Sequence, residues 1–296
     1  MAKIGFIGLG HMGLPMAGNL VKAGHQVKGF DLYPEAIKAA GGRGVEAASS
    51  IAEAAKGVEV VIAMVPEGKH SRAAFLGDDG ILAHADKGTL LIDCSTIDVA
   101  TSRIIHEAAE QAGFDMVDGP VSGGVGGAEG AALTFMVGGS EAAYQRAKPV
   151  LEPMASKIFH CGPAGNGEAV KIVNNMLLAI SMIGVSEAFA LGRRLGIEDQ
   201  VLFDVASTSS GRCWSLDTYC PVPGPVPASP ANRGYQAGFT ADMMLKDLRL
   251  AQAAAIETGA MTPLGKHSEA LYAELSKGGH GGLDFSGIFK MLDNDL

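Results

Sequence analysis

Cysteine is scarce in this sequence. Its four copies, Cys94, Cys161, Cys213 and Cys220, form no C-x-x-C pair, and the eight histidines include no H-E-x-x-H. Both absences argue against a zinc centre. A chain of 296 residues needs no disulfide framework to hold a core, so free thiols are expected. Positive charge is also in short supply. Twenty-three lysines and arginines against 32 acidic residues leave a net charge of −9. Such a surface repels phosphate backbones, so nucleic acid is not expected as a partner. No block of like charges forms a tail. The opening MAKIGFIGLG lacks the long apolar region and cleavage site of a signal peptide. The apolar run 176–185 is too short to span a bilayer. No repeat of solenoid period is visible. These absences lead to the expectation of a soluble, cytoplasmic protein with no membrane partner.

What is present is apolar residue, 47% of the chain, enough for one large domain or two ordinary ones. Short apolar runs recur at 3–8, 25–31, 58–65, 88–95, 114–121, 133–139 and 157–162, and alanine-rich helical segments such as 15–23, 99–112 and 140–154 separate most of them. That alternation implies an α/β domain whose parallel sheet is covered on both faces. After Gly162 the strand-like runs stop. Long helical patterns follow at 197–208, 239–259 and 263–279. The expected organisation is a dinucleotide-binding domain over 1–162 and an all-helical domain over 163–296, joined by one long helix. The proline-rich stretch 220–234 reads as a surface loop inside the helical half, since proline fixes φ and removes backbone donors.

The first of the apolar runs ends in a glycine pattern. Gly8, Gly10 and Gly13 form G-x-G-x-x-G after a predicted strand and at the start of a predicted helix. The first glycine permits the tight turn, the second admits a pyrophosphate against the backbone, and the third lets helix pack on strand. Leu9, His11 and Met12 complete the loop. Asp31 ends the next apolar run, at the spacing expected of a carboxylate on a ribose 2′-hydroxyl. Leu32 and Tyr33 follow it, with no arginine beside it. A 2′-phosphate would meet a carboxylate and no cation, so the expected cofactor is NAD rather than NADP. The loops 64–68 and 94–98 also follow predicted strands, which makes Val65, Pro66 and Thr96 candidate cofactor contacts. Ser95 and Asp98 read as turn and helix-cap residues.

Two further stretches carry polar groups of chemical interest. Ser122, Gly123 and Gly124 lie in a glycine-dense loop, 118–139, where adjacent backbone N–H groups and a hydroxyl can hold a carboxylate. The segment 162–192 reads as a buried helix, yet Lys171 is its only charge between Ala169 and Ser186. Lysine is almost never fully buried without a reason. Asn175 lies four residues on, hence on the same helix face, with Asn174 close to it. A lysine beside a substrate carbonyl can donate a proton during reduction and accept the alcohol proton during oxidation. Its ordinary pKa of about 10.4 must fall for this, as apolar surroundings would make it do. The plainer alternative is a lysine snorkelling from a helix end.

In order, the segments GFIGLGHMGLPMAGNL, DGPVSGG, GPAGNGEAVKIVNN and KDLRLA resemble the β-hydroxyacid dehydrogenase family, and the resemblance covers essentially the whole chain. The stretch 209–224, followed by 235–248, is most similar to the family's 3-hydroxyisobutyrate branch. The resemblance implies a Rossmann domain, a linking helix and a helical domain. It implies oxidation of 3-hydroxyisobutyrate to methylmalonate semialdehyde, a step of valine breakdown, with Lys171 as the catalytic group. It places Ser122, Gly123, Gly124 and Asn175 on the substrate. It brings Lys246 near the cofactor, where it would help close the cleft, and Phe239 as a further cofactor contact. It also implies a homodimer or homotetramer built on the long helix and the helical domain. The same chemistry on 3-hydroxypropionate, L-serine or tartronate semialdehyde is the nearest alternative, and a non-catalytic NAD-binding module is the alternative of another class. The family's substrate loop often begins D-A-P. Here it is Asp118-Gly119-Pro120, a difference of one methyl group.

Overall fold

The computed structural model describes all residues, Met1–Leu296. It resolves into two compact units, Met1–Lys171 and Ile172–Leu296.

The first unit holds every strand. They are β1 (Lys3–Ile7), β2 (Gln26–Phe30), β3 (Glu46–Ala47), β4 (Val60–Ala63), β5 (Leu90–Asp93), β6 (Met116–Asp118), β7 (Val121–Ser122), β8 (Leu133–Gly139) and β9 (Ala155–His160). Eight helices alternate with them: α1 (Gly13–Lys22), α2 (Pro34–Gly41), α3 (Ile51–Ala55), α4 (Gly68–Leu76), α5 (Ile81–His84), α6 (Val99–Gln111), α7 (Gly124–Glu129) and α8 (Glu141–Leu151). Strands β3, β2, β1, β4, β5 and β6 pair in that order, all parallel. The order reverses between β1 and β4, which creates a crevice at the carboxyl ends of the strands.

The near-continuous apolar runs have a simple origin. Successive residues of a strand point to opposite faces, and both faces here are covered. Val60 and Ile62 of β4, with Leu90 and Ile92 of β5, feed one core beside Phe6, Met16 and Leu20. Val61, Ala63 and Leu91 feed the other, beside Phe75, Ile81 and Ile105.

The sheet is not wholly parallel, contrary to the expectation from alternation. β6 and then β7 run antiparallel to β8, which pairs parallel with β9. The cause is the connection: only residues 123–132, the six-residue α7 among them, separate β7 from β8, and a parallel return needs a crossover of a dozen residues or more. β8 coincides with the strand-like run 133–139, and what the reading of 118–139 as a glycine-dense loop lacked is α7.

The second unit is all-helical. α9 (Asn166–Arg194) begins in the first unit and supplies the covalent link. α10 (Asp199–Thr208), α11 (Trp214–Asp217), α12 (Ala241–Thr258), α13 (Pro263–Leu275) and α14 (Ile288–Leu292) follow. Ala179, Met182 and Ile183 of α9 pack with Met244, Leu248 and Tyr272. Further along, Val185, Phe189 and Ala190 pack with Leu216 and Val222. By length and apolarity alone α9 meets the requirement for a membrane span, which the shorter run 176–185 did not suggest. One face of it packs into the two apolar clusters of this unit, while Val173, Leu177 and Leu191 are exposed.

The proline-rich stretch 220–234 is more than a surface loop. Cys220, Val222 and Ala231 are buried in the second apolar cluster of this unit. Ser229 Oγ donates to the Cys220 carbonyl and Tyr235 Oη to that of Pro221. Side-chain donors thus satisfy the carbonyls that a segment without regular structure leaves open. All four cysteines are free thiols.

Candidate active site

The loop after β1 carries the glycine pattern into the crevice. Gly8 N donates to Phe30 O at 2.9 Å, and Met64 N donates to Ile7 O at 2.8 Å, so the turn sits between β2 and β4. A side chain at Gly13 would place its Cβ 1.9 Å from the Gly8 carbonyl oxygen. No residue but glycine lets α1 start so close to β1. At Gly10 a Cβ would meet nothing within 4 Å, so the middle of the loop is open. No side chain caps α1; Leu14 N is taken by the Gly10 carbonyl at 2.9 Å, and the positive end of the helix dipole lies behind the loop. That is a seat for an anion such as a pyrophosphate. Leu9 and Gly13 are buried, whereas His11 is exposed.

Asp31 stands immediately after β2. Its Oδ2 accepts from Leu9 N at 2.7 Å and its Oδ1 from Tyr33 N at 2.9 Å. The carboxylate is thereby fixed at the rim of the glycine loop, beside exposed Leu32 and Tyr33. This geometry fits a dinucleotide with a free 2′-hydroxyl: a fixed acceptor on one side and open phosphate donors on the other.

The next two loops are tied together. Val65 N donates to Ser95 Oγ at 2.9 Å, and Ser95 N donates to Asp93 Oδ1 at 3.0 Å. Asp98 caps α6 through Thr101 N, as its place before a helix suggested. Pro66 is exposed, Val65 and Thr96 half-buried. Burial pushes the Asp93 carboxyl above its ordinary range. Burial also pushes the Cys94 thiol well up, with the Asp93 charge adding to it. Cys94 is thus a packing residue and not a nucleophile.

Ser122 ends β7. Gly123 and Gly124 follow with φ of 133° and 60°, left-handed values that turn the chain into α7 and that glycine adopts without strain. Lys171 lies in the second turn of α9 and is only 7% exposed. The first turn of that helix is fastened to the loop of Thr96, because Ile97 N donates to Glu168 Oε2 at 3.2 Å. Within the first unit the structure thus gathers Gly8, Asp31, Val65, Thr96 and Ser122 at the carboxyl ends of neighbouring strands, and ties the lysine helix to one of those loops.

In the helical unit, Asn175 is 2% exposed. It donates through Nδ2 to Asp247 Oδ2 at 2.6 Å, and Asn174 Nδ2 donates to its Oδ1 at 3.1 Å. Lys246 Nζ lies 3.3 Å from Asp247 Oδ1. Asp247 therefore orients both residues that the sequence singled out, and the sequence reading missed it. Its only signal was adjacency to Lys246 in KDL. Phe239 packs edge-on to Phe285, which continues into a stack with Tyr219 and Trp214. No set of three or more His, Cys, Asp or Glu side chains converges as a metal site.

Residues 3–162 match the family model of the NAD binding domain of 6-phosphogluconate dehydrogenase. Residues 165–292 match that described as NAD-binding of NADP-dependent 3-hydroxyisobutyrate dehydrogenase. A "Probable 3-hydroxyisobutyrate dehydrogenase" of Mycobacterium tuberculosis is 49% identical over 292 residues, covering 99% of this chain and 98% of that protein. The chain belongs to the 3-hydroxyisobutyrate dehydrogenase family. A Mycobacterium tuberculosis member of that family, solved with L-serine, superposes with a TM-score of 0.94 at 49% identity, covering 99% of both chains. An "NAD-dependent L-serine dehydrogenase" of Pseudomonas aeruginosa is 47% identical over 99% of this chain and 98% of its own. The family's two-part architecture, Rossmann unit then helical unit on a long shared helix, is the one seen here.

Proposed function

We propose that this chain oxidises 3-hydroxyisobutyrate to methylmalonate semialdehyde, a step of valine breakdown, with NAD as its cofactor. The observation that carries the reading is Lys171: a buried lysine on a helix whose first turn is bonded to a strand-end loop of the dinucleotide crevice. NAD, when bound, supplies the hydride acceptor. Gly8, Leu9, Gly10, His11, Met12 and Gly13 hold its pyrophosphate, Asp31 its adenosine ribose, and Val65, Pro66 and Thr96 line its path. Ser122 Oγ and the N–H groups of Gly123 and Gly124 hold the substrate carboxylate. Lys171 takes the hydroxyl proton as the carbinol C–H bond breaks, and Asn175 orients the hydroxyl. Phe239 and Lys246 are included as cofactor contacts on the family resemblance alone. We place the domain boundary between residues 162 and 163, and the protein in the cytoplasm.

L-Serine is the second reading, favoured by the relative active on it and by the structure solved with it. The two acids share HO–CH2–CH–COO⁻ and differ on the central carbon, methyl against ammonium. A panel of 3-hydroxyisobutyrate, 3-hydroxypropionate, L-serine and glycerate, the alcohol that yields tartronate semialdehyde, decides this through kcat/KM for NADH production. We expect 3-hydroxyisobutyrate to lead by about 10-fold or more, the scale on which a pocket separates close analogues. A lead for L-serine would reassign the substrate, and a flat trace across the panel would leave only a cofactor-binding module.

A homodimer or homotetramer belongs to the same proposal. Val173, Leu177 and Leu191 form an exposed apolar stripe along α9, Leu195 lies in the turn just after it, and Val201 and Val205 of α10 are exposed as well. Monomeric proteins rarely leave such a patch in water. Sedimentation velocity should show a multimer that Leu177→Glu with Leu191→Glu reduces to monomer. A monomeric parent chain would remove this part of the proposal.

A further inference from the structure

We infer that Asp118, held by His106, is the positioning residue that sets Lys171 in register with the substrate loop. The inference rests on the reading of Lys171 as the acid/base group. Asp118 is the last residue of β6 and is fully buried. Its Oδ1 accepts from Gly165 N at 2.9 Å and its Oδ2 from Glu168 N at 3.0 Å. These are N–H groups at the start of α9, which have no partner within the helix. A carboxylate there also meets the positive end of the helix dipole. His106, buried on α6, completes the set with Nε2 donating to Oδ1 at 2.9 Å. One side chain thus binds β6, α6 and the start of α9 together through three hydrogen bonds.

The packing leaves no slack around this carboxylate. A Cβ at Gly138 would lie 2.6 Å from Asp118 Oδ1 and 2.7 Å from Gly167 N. A Cβ at Gly167 would lie 2.3 Å from the Met136 carbonyl oxygen and 2.7 Å from Asp118 Oδ2. Helix start and strand backbone therefore touch directly, and both glycines are required for it. Glu168, whose amide Asp118 grips, is one turn before Lys171 on the same helix face. In the other direction the Asp118 backbone runs through Gly119 and Pro120 to Ser122. One residue consequently fixes the distance between the group that takes the proton and the loop that holds the carboxylate. A misplacement of about 1 Å in such an arrangement costs on the order of 100-fold in rate.

The test is steady-state kinetics of the full chain with NAD and 3-hydroxyisobutyrate, or L-serine if the parent turns that over faster. Rates are normalised to NADH-binding sites counted by fluorescence titration. Asp118→Asn keeps the shape but turns an amide donor toward a backbone N–H. It should lower kcat about 100-fold, with KM and NADH affinity changed by less than about threefold. In the Lys171→Ala background the same substitution should cost less than about threefold, because its effect runs through the lysine. His106→Leu should lower kcat about 10-fold, while His106→Gln, which can still donate to Asp118, stays within about threefold of the parent. Parental kcat per site in Asp118→Asn, or losses that multiply in the double variant, would overturn the inference while leaving the acid/base reading intact. Should Asp118→Asn fail to fold, equal losses in His106→Leu and His106→Gln would do the same. Full turnover by Lys171→Ala alone would overturn that reading, and the inference with it.

Discussion

Replacing Lys171 with alanine should lower kcat by about 100-fold to 10,000-fold, the range that a positioned acid or base contributes. NADH affinity should stay within about twofold, because the glycine loop is held by Gly8 N on Phe30 O and Leu9 N on Asp31 Oδ2. The physical argument is the environment. Lys171 is 7% exposed, and a lysine is seldom kept inside a protein without a task for its amine. Oxidation of the alcohol releases one proton as the hydride leaves, and an amine within reach is the group able to take it. The effect should fall on kcat far more than on KM, since Ser122, Gly123 and Gly124 still hold the substrate carboxylate. Stopped-flow transfer of a deuterated substrate would add a second reading of the same step. A variant that kept parental turnover would assign the proton to another group.

The second large effect concerns cofactor choice. Asp31→Ser combined with Leu32→Arg should shift the ratio of kcat/KM for NADP over NAD upward by roughly 1,000-fold, equivalent to about 4 kcal/mol. Two changes act in the same direction. Serine removes the carboxylate that would repel a 2′-phosphate and that NAD's ribose uses as acceptor. Arginine at position 32, where the leucine is 79% exposed, supplies a bidentate cation without disturbing a core. Asp31 also accepts from Leu9 N and Tyr33 N, so some loss of thermal stability should accompany the switch. An unchanged ratio would remove Asp31 from the ribose site. The description of the matched C-terminal family model speaks of NADP, and the carboxylate at position 31 is the reason this chain is assigned to NAD.

Local chemistry was legible before any coordinates. Gly8, Gly10 and Gly13 are spaced by what a strand–turn–helix needs to approach a phosphate, and Asp31 by the length of one helix and one strand. Lys171 stood out because a single charge in an apolar helix contradicts its surroundings. What stayed hidden were the partners reached across the chain. Asp118 meets Gly165 and Glu168 at separations of 47 and 50 residues. Glu168 meets Ile97 across 71 residues, and Asn175 meets Asp247 across 72. No periodicity or spacing rule joins residues so far apart. The exception within a short range is His106 with Asp118, twelve residues away, yet on different elements whose packing the sequence does not display.

Burial was the other thing the pattern misjudged. The prolines of 220–234 suggested a loop on the surface, and no α-helix forms there, only the short 3-10 turn Pro230–Arg233. They say nothing about whether Ser229 and Tyr235 donate to its carbonyls, which is what allows that loop inside. The apolar surface of α9 looked like a helix buried all round. In the chain one face meets the core of the helical unit and the other, with Leu177 and Leu191, faces outward.

The amino-acid sequence by itself determined the elements, the dinucleotide loop, the lysine and the family, because each depends on residues within a few positions of one another. Only the tertiary structure decided that the last strands turn antiparallel, that Asp247 aims Asn175, and that Asp118 binds the lysine helix to the sheet. Those are contacts between distant segments, and their free energy exists only once backbone donors at a helix start and a carboxylate at a strand end have been brought within about 3 Å of each other.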